Sequence, residues 1–597
     1  MILGILSLMA LALLFFADRA SACTTVIVGK KASPTGRVIV GHNEDDGGRV
    51  IVRHGFVPAG LHAAGETLPA EEGCAAIPQA RKTHGFYWSE MKAAAGGLTT
   101  ADSMLNDQGV LIVSDSCADS KEDTADPSRL GEGGVGFNLR RIMAERASTA
   151  REAVEIAASL LDRCGYVSSG RAYTAADANE AWLLQVVSGR HYAARRVADD
   201  EAAFIPNCYT IHDVDPQDRE NFILSPDLID YAVQKGWYDP ASGPFDFARA
   251  YQAESSWISP ANAYRSAAGC SLLTRRNVDT GQPCPFAVKP PLPVGLEQVM
   301  EILRCHYEGT ALDPQWARAR FPGGTPHDKG IRRICTETTL ESTVTLFGER
   351  PETTVCWTSF GRPCELPYVP LHPLCGALPG EIAAMENAAA ELERHLTPDA
   401  ALSSWNDGGW QKFRDFQNLF EMVYQEHEAE HSRWLWSFEE ALIRSEAHLQ
   451  AQTAPLYAAG RAQEAAAALA DADAAALAQC LEALQCRRCS LREAKVAVQP
   501  SSFPMGSGET LTVSFELEEG RTPRESSLML LLGGGCARAD AIRPQTGSLS
   551  AEGRRWRFRV SAAELQKAGV PGIFDFWLGG RDTQGRSFGG GALVTIG

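Results

Sequence analysis

The residue with the most chemistry to offer is Cys23, because of what stands before it. Residues 2–16 form an apolar run too short for the roughly 20 residues that span a bilayer, and Ala20-Ser21-Ala22 supplies the small side chains a signal peptidase accepts. A cut after Ala22 would leave Cys23 as the first residue of the mature chain. Its thiolate is a strong nucleophile, and its own α-amine, with a reference pKa of about 7.7–8.0, is a base within one residue's reach of the sulfur. Nucleophile and base would come from one residue. Residues 1–22 therefore read as a signal peptide, which implies a signal peptidase as processing partner and a periplasmic or secreted product. Asp18 and Arg19 separate the apolar run from the cysteine, and Ala20 stands where a lipobox has Leu, so lipidation is the weaker reading.

A nucleophile has to be met by polar groups, and the strands nearest in sequence carry them. Residues 24–28 are β-branched, Ser33-Pro34-Thr35-Gly36 is turn-rich, and Val38-Ile39-Val40 runs into Gly41-His42-Asn43-Glu44-Asp45-Asp46. That pattern is a hairpin whose second strand ends in polar groups back near Cys23, so Asn43 and Asp45 are candidate site residues. Leu105-Asn106-Asp107-Gln108-Gly109 is a turn feeding an apolar strand, with Asn106 at its mouth. Pro206 forces an extended approach and presents Asn207 near a strand start. Strand character resumes at residues 331–336. Residues 50–100 read as short strands and loops without assigned chemistry.

The elements that position these groups fall into blocks. Residues 137–147 and 149–164 have the spacing of two amphipathic helices, with Ser148 as candidate N-cap of the second. Strands and helices segregate instead of alternating, which favours α+β layers over a dinucleotide fold. The glycines at 133–136 precede a helix, but no phosphate-loop Lys follows them. Residues 381–496 are Ala-, Glu- and Gln-rich with helical spacing, and 497–597 read as short strands separated by Gly and Pro turns, a small β-sandwich module expected to bind or position rather than catalyse. At 597 residues, 45% hydrophobic and 22% charged, the chain is soluble globular protein of several domains. Its net charge of −18 argues against nucleic-acid or anionic-lipid partners. After residue 22 no apolar run is long enough to span a membrane.

Two further motifs do not carry the argument. His427-Glu428-Ala429-Glu430-His431 matches the zinc-protease pattern HExxH on a predicted helix, yet no third ligand is evident and a solvated helix face is the preferred reading. Cys486-Arg487-Arg488-Cys489 lacks a second CxxC, and in an exported protein with 16 cysteines a local disulfide is the simpler expectation. No metal or other cofactor is expected.

Cys23-Thr24-Thr25 with Gly29 and Gly36, His42-Asn43-Glu44-Asp45, Arg195-Arg196-Val197 running to Pro206-Asn207, and Arg332 followed by Glu341-Ser342 together resemble the cysteine dipeptidases of the PepD and secernin type. These are N-terminal-nucleophile hydrolases related to penicillin V acylase and bile-salt hydrolase. The resemblance covers residues 23–380 and not the final β module. It implies a four-layer αββα sandwich in which Cys23 attacks an amide carbonyl, its α-amine shuttles the proton and Asp45 holds that amine. It also implies Asn106 and Asn207 as side chains around the oxyanion, where one fixed donor is worth about 3–4 kcal/mol, and Arg332 beside the cysteine. His42 stands where the family commonly has Arg, and an imidazole partly charged near neutral pH cannot form a guanidinium fork. The activity implied is hydrolysis of short peptides, dipeptides above all, through a Cys23 thioester. The alternatives are an amidase acting on N-acyl amino acids and a catalytically silent envelope binding protein.

Overall fold

In a computed structural model of the chain, the residues described are 23–46, 50–69, 71, 73–93, 100–117, 120–257, 259–281, 285–310, 312–313, 324–327, 332–383, 385, 387–394, 409–491, 493–533, 542–565 and 572–597. The signal-peptide reading of residues 1–22 lies outside them.

The first strands are the expected hairpin, β1 (Thr24–Val28) and β2 (Ile39–Asp45), paired from Thr24 opposite Asn43 to Val28 opposite Ile39. There follow β3 (Val50–Val57), a two-strand ribbon β4 (Gly60–Leu61) and β5 (Lys82–Thr83), β6 (Phe86–Ala93), β7 (Thr100–Asn106) and β8 (Leu111–Ser116). Next come β9 (Tyr166–Ala176), β10 (Ala181–Gly189), β11 (Tyr192–Val197), β12 (Ala202–Ile205), β13 (Phe222–Leu224), β14 (Thr339–Leu346), β15 (Val355–Ser359) and β16 (Val369–Leu371). They make a six-stranded sheet in the order β12-β1-β2-β14-β15-β16 and an eight-stranded sheet in the order β13-β11-β10-β9-β8-β7-β6-β3.

Alternation along the strands decides the layering, because successive side chains point to opposite faces. Leu111, Val113, Ala172, Ala176 and Leu183 of the eight-stranded sheet share a core with Ile27 and Val40 of the other sheet. Their neighbours Ile112, Tyr173, Ala175, Trp182 and Leu184 share a different core with Leu139, Ile142, Val154 and Leu161. Those last four belong to the helices Asn138–Arg146 and Ala150–Cys164. Helices Pro260–Thr274 and Leu296–Leu303 cover the six-stranded sheet on its other side. The order is helix, sheet, sheet, helix, the four-layer αββα sandwich. Gly41 permits the close approach of the last helix to β2, since a Cβ there would lie 2.4 Å from Val299 Cγ1.

Several local expectations change. Thr149, not Ser148, caps the second helix, its side chain accepting from the Glu152 amide. Residues 332–338 form a loop, and strand pairing begins only at Thr339. Within residues 50–100 lie two eight-residue strands, β3 and β6, paired from Val50 opposite Ala93 to Val57 opposite Phe86.

Beyond the sandwich, helices Trp410–Ala458 and Ala462–Ser490 pair with each other and pack on β16. The C-terminal region is a β-sandwich of two four-stranded sheets, beginning at Lys495, with its own core of Leu511, Val513, Phe558, Phe576 and Val594. It is docked on the long helix: Trp577 joins the core that contains Phe413, Phe416, Leu419 and Tyr368, and buried Arg414 donates to Asp575 at 2.7 Å. Among the described residues no helix is long and apolar enough to cross a membrane. No disulfide joins any two of the described cysteines. Cys486 and Cys489 are both exposed on one helix, where residues three apart hold their Cβ atoms about 5–6 Å from each other, too far for the roughly 3.8 Å of a disulfide.

Candidate active site

The β1–β2 hairpin sorts its side chains between two faces. Gly41 faces the Leu296–Leu303 helix; Asn43 shares that face and donates to Leu303 O at 2.8 Å and Ile334 O at 3.1 Å. The alternate residues His42 and Glu44 turn toward the eight-stranded sheet, as do Cys23 and Thr25.

On that inner face four contacts form a line. Cys23 Sγ donates to Glu44 Oε1 at 3.3 Å, and Glu44 Oε2 lies 3.3 Å from His42 Nε2. His42 Nδ1 is 2.9 Å from Thr25 Oγ1, whose hydroxyl donates to Asp115 Oδ2 at 2.7 Å across the gap between sheets. The hydrogens follow from these contacts. Thr25 has one hydroxyl hydrogen and gives it to Asp115, so it accepts from His42, whose Nδ1 must carry a proton. Burial pushes His42 down to about 4, which leaves the ring neutral and Nε2 an acceptor. Glu44 must then supply the hydrogen between them, and burial does raise its pKa well above the carboxylate range. The result is a continuous relay from the sulfur to Asp115. The expectation of a partly charged His42 is corrected: the ring is a neutral link between Glu44 and Thr25.

Burial is also the main reason the Cys23 thiol is raised; any charge on the neighbouring Glu44, Asp115 or Asp45 carboxyls would raise it further, while the Asp45 main-chain N–H favours the thiolate. Burial raises Asp115 to about 7 and Asp45 to about 6. A base is therefore needed to take the thiol proton at neutral pH.

The outer face of the hairpin carries the cations. Arg332 Nη2 donates to Asp45 Oδ2 at 2.7 Å, and the Thr339 hydroxyl donates to Asp45 Oδ1. Arg265, on the Pro260–Thr274 helix and 1% exposed, donates from Nη1 to Cys23 O at 3.0 Å and to Thr24 Oγ1 at 3.1 Å. Its Nη2 donates to Asn207 Oδ1 at 2.6 Å. The structure thus brings Cys23, Asp45, Arg332 and Asn207 into one neighbourhood, with Ser116 O taking one of the two amide hydrogens of Asn207.

Asn106 is not brought there. It ends β7 on the face of Met104, toward the Asn138–Arg146 helix, and its amide donates to Ala144 O at 2.9 Å and Ala147 O at 2.7 Å. Its Oδ1 accepts from the amides of Gln108 and Val110. Both hydrogens and the oxygen are engaged in closing the turn, on the side of the sheet away from Cys23. The HExxH pair is likewise no metal site: His431 is 1% exposed, donates from Nε2 to Glu365 O at 2.8 Å and accepts at Nδ1 from Arg487 at 3.1 Å. It is buried between helices instead of lying on a solvated face.

The sequence model described as Peptidase family C69 matches residues 22–394, more than half of the chain and the whole of the two-sheet body. The chain belongs to peptidase family C69. Among curated C69-like relatives, the "Probable dipeptidase" of Salmonella dublin is 28% identical over 194 residues, 32% of this chain and 44% of that protein. The "Probable dipeptidase B" of Streptococcus pyogenes serotype M1 is 27% identical over 243 residues, 39% of this chain and 48% of that protein. The chain spans about half the length of these relatives. Among solved structures, the penicillin V acylase from Agrobacterium tumefaciens aligns over 59% of this chain and 86% of its own at 11% identity, with a TM-score of 0.27. That likeness is too slight to bear on the C69 fold, which rests on the sheet order above.

Sequence reasoning missed Glu44, Thr25, Asp115 and Arg265. Glu44 lay inside the quoted motif, but only the β1–β2 register, with Thr24 opposite Asn43, puts it on the sulfur's side. Arg265 had a fainter signal, a long cation in a helix otherwise rich in Ala and Ser.

Proposed function

We propose that this C69 protein is an exported cysteine-type dipeptidase, activated by cleavage between Ala22 and Cys23. The observation that supports it most is the position of Cys23 at the head of β1, its sulfur against Glu44 and the Asp45 N–H and its carbonyl held by Arg265. In the cut protein the Cys23 α-amine takes the thiol proton and the sulfur bonds to the peptide carbonyl carbon. The C–N bond breaks as the amine passes that proton to the leaving nitrogen. Water then hydrolyses the thioester with the same amine as base. Asp45, anchored by Arg332 and Thr339, holds the ammonium form, and the remaining amide hydrogen of Asn207 is the candidate donor to the oxyanion.

With residues 1–22 attached the Cys23 nitrogen is an amide and no base, so the uncut chain is inactive. The test is mass spectrometry of the mature amino terminus together with a panel of dipeptides and N-acyl amino acids. Active protein beginning at unmodified Cys23, silent as Cys23→Ala and weak as Cys23→Ser, supports the proposal. A lipidated or uncut chain with full activity would overturn it, and turnover of N-acyl amino acids alone would make it an amidase.

A further inference from the structure

Away from the Cys23 relay, four buried side chains from four separate stretches converge. His306 follows the Leu296–Leu303 helix, His327 lies in the segment 324–327, Cys335 stands in the loop before β14, and Cys364 in the loop between β15 and β16. Their exposures are 1%, 4%, 0% and 8%. His306 Nε2 and His327 Nε2 are 3.0 Å apart, Cys335 Sγ and Cys364 Sγ 3.6 Å, and His327 Nε2 lies 3.4 Å from Cys364 Sγ and 3.8 Å from Cys335 Sγ. A tetrahedral ion with bonds of about 2.3 Å to sulfur and about 2.0–2.1 Å to nitrogen sets edges of about 3.8 Å for S···S, about 3.3 Å for N···N and about 3.5 Å for N···S. The observed spacings are of that size.

The far side of each ring is held by a carboxylate. His306 Nδ1 is 2.7 Å from Glu308 Oε1, and His327 Nδ1 is 2.9 Å from Glu421 Oε2. A carboxylate at Nδ1 places a hydrogen there, so both Nε2 atoms are turned into the shared space, where one cation can bind them together. A carboxylate behind each imidazole is also the arrangement that orients metal-bound histidines and raises their basicity. A disulfide would need its sulfurs about 2.05 Å apart, and these stand at contact distance.

We propose that His306, His327, Cys335 and Cys364 bind one structural zinc ion through Nε2, Nε2, Sγ and Sγ. Two sulfurs and two imidazoles in a tetrahedron select zinc over the oxygen-seeking cations, and four protein ligands leave no open position for water or substrate. Binding releases the two thiol protons to solvent, so the doubly charged ion meets two thiolates and the buried centre carries no net charge. The site has a job within the fold. It fastens the loop 332–338, which supplies Arg332 to Asp45 and Ile334 O to Asn43, and through Glu421 it ties that loop to the long helix. The spacing of the four residues matches no metal motif, and the sequence expectation of no metal is revised accordingly.

The test uses the full chain, purified without a metal-affinity step. Elemental analysis is expected to find about one zinc per chain. Zinc falls to a small fraction of that in Cys364→Ser and in His306→Ala, and stays in His427→Ala, which removes the HExxH histidine instead. Protein grown with cobalt shows the visible bands of tetrahedral cobalt and a near-ultraviolet thiolate charge-transfer band, a readout that holds even where a variant fails to fold. Native protein without metal, with Cys335 and Cys364 recovered as alkylated free thiols or as a disulfide, would overturn the proposal. So would zinc retained when both cysteines are serine.

Discussion

Cys23 Sγ donates to Glu44 Oε1 at 3.3 Å, and the carboxyl that receives it is itself a hydrogen donor to His42. The proposed nucleophile therefore rests on a neutral acid and not on a carboxylate. Glu44→Gln reproduces that acid's acceptor and donor without a titrating proton, so we expect hydrolytic activity within about threefold of wild type. Glu44→Ala removes both contacts and leaves His42 Nε2 buried without its partner, a cost of about 1–3 kcal/mol that should lower activity roughly 10- to 100-fold. Steady-state rates on the two variants check this. Equal, large losses in both would mean that Glu44 acts as an ionised base.

The two asparagines should separate stability from chemistry. Asn106→Ala opens a turn held by four side-chain hydrogen bonds, and we expect a loss of about 2–4 kcal/mol in urea unfolding with kcat nearly unchanged in the folded fraction. Asn207→Ala should cost little in stability relative to its effect on kcat, about 10²- to 10³-fold if its free amide hydrogen meets the oxyanion. A large kcat defect in the Asn106 variant at full folding would reverse this assignment.

Asp115 makes stability depend on pH with a definite sign. Its folded pKa, raised by burial to about 7, exceeds the unfolded value of about 3.9, so its favourable contribution is complete below about pH 4 and is lost as pH rises through 7. Asp115→Asn, always neutral, should match wild type near pH 4 and gain on it steadily up to pH 8, by as much as about 4 kcal/mol. His42, depressed to about 4, drives stability the opposite way between about 4 and 6.5, but it is present in both proteins and cancels in the difference. Urea titrations of the pair at several pH values measure it. A constant difference would show that Asp115 does not titrate on folding.

The C-terminal sandwich should unfold with the catalytic body. Trp577 lies in the same core as Phe413 and Leu419, and Arg414 is paired to Asp575 with both side chains buried. Asp575→Ala leaves the guanidinium without its carboxylate and should cost about 3–5 kcal/mol. Calorimetry is expected to show one transition that moves down as a whole. Two resolved transitions, with only one displaced, would show instead that the sandwich folds on its own.

What the sequence determined by itself were the features that depend on neighbours along the chain. The β1–β2 hairpin is written in two β-branched runs around a turn, the helices after residue 137 in their periodicity, and the terminal sandwich in short strands between Gly and Pro, while the proposed export site rests on consecutive residue types alone. The motif His42-Asn43-Glu44-Asp45 was visible too, but its sequence could not say which of its residues face the sulfur. Only tertiary structure decided that. The pairing of β1 with β2 set the parity that puts Glu44 on Cys23 and Asp45 on Arg332, and the stacking of two sheets carried Asp115 to Thr25 across 90 residues. The same holds for Asn106, whose turn was legible while the face it looks to was not, and for the His306, His327, Cys335 and Cys364 cluster. Four ligands from four loops have no spacing to detect. They meet because the packing of helices on the six-stranded sheet brings those loops to one point, and packing is a property of surfaces that only the folded chain possesses.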